Sequence, residues 1–151
     1  MIFSGRDGIL PYTRMVNKEF GIWQSEKSFR FKEEALFSHA PQTPGIYELV
    51  TFDAAENPKV VYADWAKDKS IFDALYEHWR GDKKPAVQEL LKRYPNLYFS
   101  YIVDSDAKTP EDLQDLFYAI VQSDKPELVD SSAVKHTGRY SEITVKDKSI
   151  L

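Results

Sequence analysis

The sequence has no cysteine, so disulfides, thiolate metal sites and thiol nucleophiles are excluded. It has no run near the ~18 consecutive apolar residues that a spanning helix needs. Met1 to Leu10 lacks a basic start followed by an apolar stretch, so no secretory signal is expected and the expected location is cytoplasmic. A basic surplus is missing too. The 20 Lys and Arg stand against 24 Asp and Glu, for a formal charge of -4, whereas proteins that live on nucleic acid carry cationic excess. Internal repeats, low-complexity runs and Gly-, Ser- or Pro-rich linkers are also absent, which leaves a single domain over 1–151.

The chain is well supplied with core-forming residues: 42% are hydrophobic and 14% aromatic, enough to bury a core and to exclude disorder. Gly45 to Phe52 and Lys59 to Ala63 are β-branched and aromatic runs separated by the turn-rich stretch Asp53 to Pro58, which predicts a hairpin. Ile71, Phe72, Leu75 and Trp79 recur at helical spacing and stop at Gly81. Pro85 begins a second short helix with Val87, Leu90 and Leu91 on its apolar face, and Leu97 to Val103 is a strand. Thr109 caps a helix opened by Pro110, with Leu113, Leu116, Phe117, Ile120 and Val121 forming its stripe. Lys32 to Ser38 is a short helix candidate, and Ile143 to Val145 a further strand. The predicted class is α+β: a small, mostly antiparallel sheet of a hairpin plus a further strand, flanked by helices.

Pro44-Gly-Ile-Tyr47, followed by Val60-Val-Tyr-Ala-Asp64, resembles the paired motif of the GIY-YIG nuclease superfamily. The resemblance continues through Leu75-Tyr-Glu-His78, Gly81-Asp82, the next strand, the Thr109 helix and Pro126. It covers residues 29–130 and leaves 1–28 and 131–151 as extensions. In that family two tyrosines face one cleft and help to deprotonate a water. An Arg on the first helix meets phosphate charge, and a Glu on the last helix holds a divalent ion.

Carried over by position, Tyr47, Tyr62 and His78 match the cleft residues. The Gly after the second tyrosine is Asp64 here, whose charge repels phosphate. The Arg position falls on Ala74 and the metal-binding Glu on Phe117, which also belongs to the apolar stripe. The frame is kept while the cation and the metal ligand are lost, which implies a degenerate member with a vestigial cleft. Substitutes exist for the lost groups: Arg80 or Lys67 for the arginine, and Asp115 or Glu111 for the metal ligand. Each has a plainer use, with Glu111 and Asp112 suiting a helix N-terminus and Asp115 a solvated face. His39 and His136 lack partners at ligand spacing. Trp23, Trp65 and Trp79 are not interleaved with a basic run, so core or cleft packing is expected of them.

Two functions follow. One is a non-catalytic or strongly impaired binding or regulatory module without a cofactor, whose cleft residues Asp64, Lys67 and Arg80 meet a protein or small ligand. The other is a divalent-metal-dependent endonuclease that uses Mg²⁺ in a shifted active site. From Tyr94 to Asp130 acids outnumber bases eight to two, so the segments carrying the resemblance are expected to repel a phosphate backbone.

Overall fold

The run Gly45–Phe52 turns back on itself at Asp53, whose carboxylate accepts from the backbone N–H groups of Ala55 (2.9 Å) and Asn57 (2.8 Å). This side-chain mimic of a backbone turn closes the predicted hairpin. The computed structural model describes residues 16–149, so the expectation for Met1 to Leu10 lies outside the described residues. The elements are β1 (Asn17–Gln24), β2 (Phe29–Arg30), α1 (Glu33–His39), β3 (Gly45–Phe52), β4 (Pro58–Ala66), α2 (Ile71–Arg80), α3 (Val87–Arg93), β5 (Tyr98–Ser105), α4 (Pro110–Asp124) and β6 (Glu142–Asp147), with a 3-10 turn at Ser131–Ala133. The class is α+β.

The six strands form one sheet in the order β4-β3-β5-β1-β6, with β2 also paired to β5. β1 and β6 run parallel, and the other ladders among the described residues are antiparallel. The sheet is therefore mixed, and it takes in β1 and β2 besides the hairpin and the strands read at 97–103 and 143–145. The two extensions meet there: residues 17–24 pair along the far side of β5, and 142–147 pair with them. Gly21 shows why the chain fits there. A Cβ at this position would lie 2.6 Å from Lys148 Cε and 2.8 Å from Asp106 Oδ2, which instead accepts from the Gly21 N–H at 2.8 Å.

Helix limits follow local chemistry. Ser70 accepts from the Asp73 N–H at the start of α2, and Gly81 ends it with φ of 84°. Thr109 accepts from the Asp112 N–H at the start of α4. α3 begins at Val87, two residues after Pro85, because Ala86 is still extended.

Tyr47 lies opposite Asp64, and Leu49 opposite Tyr62, so these four share one sheet face, while Ile46, Glu48 and Ala63 take the other. Helices α1, α2 and α3 cover the first face, where Leu36, Ile71, Leu75, Val87 and Leu90 pack with Tyr47, Leu49 and Phe99. α4 covers the second, where Leu116, Phe117 and Ile120 pack with Phe20, Ile22, Ile46 and Ala63. Beyond α4 the N–H groups of Glu127 and Leu128 donate to Val60 and Val61 oxygens, covering the outer edge of β4. Among the described residues no helix is long and apolar enough to cross a membrane.

Candidate functional site

Strand register and the capped helix α2 bring Tyr47, Tyr62, Asp64 and His78 together. The Tyr47 hydroxyl lies 2.8 Å from His78 Nε2 and 3.4 Å from Asp64 Oδ2. The Tyr62 hydroxyl donates to the same carboxylate oxygen at 3.0 Å, and Lys83 Nζ lies 3.3 Å from it. The Trp65 N–H donates to Asp64 Oδ1 at 2.8 Å. Both oxygens of Asp64 are thus engaged.

The proton positions follow from the partners. His78 Nδ1 lies 2.9 Å from the Pro85 carbonyl oxygen, which can only accept, so Nδ1 carries a hydrogen. Burial lowers the His78 pKa to about 4, which leaves the ring neutral at pH 7 with Nε2 as an acceptor. Tyr47 therefore donates its single hydrogen to His78, and its approach to Asp64 is a contact without a shared proton. Burial, and then the charge of Asp64, raise the pKa of both Tyr47 and Tyr62. Transfer of a proton from Tyr47 to His78 is opposed at both ends. Neither phenol is prepared to act as a base at neutral pH.

Tyr47 and His78 are fully buried and Tyr62 nearly so. Tyr62 and Asp64 line an open groove of about 610 Å³, walled by Trp65, Lys67, Lys83, Lys84 and Pro85 on one side and by Leu128 to Asp130 and Ala133 on the other. Lys67 holds its ammonium 5.0 Å from the Trp65 ring centre, and both residues also line smaller grooves of about 390 and 160 Å³. The walls of the larger groove combine apolar side chains with three lysines and two aspartates.

Of the predicted site residues, Tyr62, Asp64 and Lys67 line this groove, and Tyr47 and His78 lie beneath it. Arg80 does not line it. At the end of α2 it pairs with Asp82 at 3.0 Å and covers the Tyr76 ring. Ala74 is buried against the first sheet face, and Phe117 is core on the second. Asp115 is fully buried and not a solvated face. It accepts from the Thr137 N–H and hydroxyl at 2.7 and 2.8 Å and from Arg139 at 2.8 Å, which ties the segment before β6 to α4. Burial works to raise its pKa, but these donors outweigh it and the pKa is lowered.

α4 packs on the sheet face opposite the phenols, and among the described residues no three or more His, Cys, Asp or Glu side chains are grouped to hold a metal. The expected acidic frame is also corrected, because the groove is lined by three lysines and two aspartates. Much of the acid excess is spent elsewhere, as in Glu127 with Arg93 and Lys59, and Asp104 with Lys108. Sequence reasoning missed Lys83 and Lys84, whose signal is a basic pair just past the helix-ending Gly81.

No family model, no curated protein and no solved structure matches the chain.

Proposed function

We propose that this chain is a non-catalytic binding or regulatory module on a GIY-YIG-like scaffold, which engages a protein or small ligand through the groove above Tyr62 and Asp64. One observation carries this reading: the Asp64 carboxylate stands where the second tyrosine and Lys83 converge. A phosphoryl oxygen would have to approach a fixed negative charge there, beside phenols that hold their protons. The Trp65 wall and the lysines Lys67, Lys83 and Lys84 favour a ligand with a flat or apolar body and an anionic group. The same lysines are the observation in favour of the second reading, a metal-dependent endonuclease with a displaced centre.

The groove is tested by a ¹⁵N NMR titration of the full chain with 2-naphthoate, a flat apolar body that carries one carboxylate. Binding at the groove moves the Trp65 indole N–H and the amides of Lys67, Lys83 and Lys84, and Lys67→Glu with Lys84→Glu removes the response. Shifts confined to other surfaces would count against it.

A further inference from the structure

On the sheet face away from the phenols, Glu48 sits in the middle of β3, on the same strand face as Ile46, which packs against α4. Its Oε2 is buried and, among the described residues, is the one buried side-chain oxygen or nitrogen without a hydrogen-bond partner. Asp124, at the C-terminal end of α4, brings a second carboxyl to the same small space. Two carboxylates are both acceptors, so the pair needs a positive species between them.

A cavity of about 20 Å³ opens beside the pair, lined by Ile22, Gln24, Glu48, Ser100, Ile120 and Asp124 among others. It is large enough for one water-sized body, which a shared proton alone does not require. Gln24 donates from Nε2 to Asp147 at 2.8 Å, so its Oε1 is the amide atom left to accept. Ser100 is buried and adds a hydroxyl. Asp124 is exposed and gives a route in from solvent.

We propose that Glu48 and Asp124, with the oxygens of Gln24 and Ser100, form a binding site for a hard divalent cation. The donors are all oxygen, two of them carboxylates, which suits calcium or magnesium rather than a softer metal. This site is independent of the groove on the other face. β1, β5 and α4 pack around Glu48, and Asp124 is the one charged group they bring to the cavity.

The test is thermal unfolding and calorimetry of the full chain with CaCl₂ and with MgCl₂, at matched ionic strength. Once the site is half filled, each tenfold rise in cation lifts the midpoint by ~3–5 °C. Glu48→Gln, which keeps the shape of the side chain, abolishes the rise in midpoint and the heat of binding, as does Asp124→Asn at the exposed end. No cation response, or an equal response in wild type and Asp124→Asn, overturns the proposal and leaves the pair sharing a proton.

Discussion

The Tyr47 hydroxyl donates a 2.8 Å hydrogen bond to His78 Nε2, with both side chains removed from water. Removing the donor leaves a buried nitrogen with nothing to accept from, a loss of about 1–3 kcal/mol. Tyr47→Phe should therefore lower stability by that amount in urea unfolding. Tyr62→Phe should cost less, because Asp64 keeps Lys83 and the Trp65 N–H. Equal costs would mean that the Tyr47–His78 bond is not the stronger restraint.

His78 also predicts a pH dependence. Its folded pKa is about 4, against an ordinary value of 6.5, so between those values the unfolded chain binds more protons than the folded one. Stability from keeping the ring neutral is complete above about pH 6.5 and is lost as pH falls toward 4, a change of up to about 3 kcal/mol. Glu48 has the opposite sign: its raised pKa adds stability that is present at low pH and lost as pH rises. The difference between wild type and His78→Gln isolates the histidine. That difference should shrink as pH falls from 6.5 to 4.5, and parallel curves would contradict it.

Phe117 gives a third expectation, since it is buried against the sheet face opposite Tyr47 and Tyr62. Phe117→Glu places a carboxylate among apolar side chains with no cation to meet it, at a cost of several kcal/mol. Combined with Ala74→Arg it should yield a protein that melts well below the parent and cuts no nucleic acid. A double variant as stable as the parent would show that Phe117 is not core.

Most elements between Gly45 and Asp124 are legible in the sequence because their signals are local. The Asp53 turn, the Ser70 and Thr109 caps and the stripe through Leu116 and Ile120 all act within a few residues. β6 is legible as the run Ile143 to Val145, but its pairing with β1 is not, because that is a contact between segments more than a hundred residues apart. Asp115 misleads for a similar reason. Its donors Thr137 and Arg139 lie more than twenty residues further on, so nothing near it in the chain marks it as buried.

The candidate site divides along the same line. Tyr47, Tyr62, Asp64 and His78 come together as their motif spacing implies, but that the two most central are sealed from solvent depends on packing from α1, α2 and α3. Glu48 carries a signal that alternation alone supplies, an acid on the same strand face as Ile46 and Val50. The partner that makes it unusual, Asp124, is set by how α4 crosses the sheet.

The central claim is that Asp64 and the proton-holding phenols leave this scaffold without phosphodiesterase chemistry. Its most direct test incubates the purified full chain with supercoiled plasmid and single-stranded oligonucleotides in Mg²⁺ or Mn²⁺. The expected result is uncut substrate with wild type and Tyr47→Phe alike. Cleavage by wild type that disappears in Tyr47→Phe would contradict it.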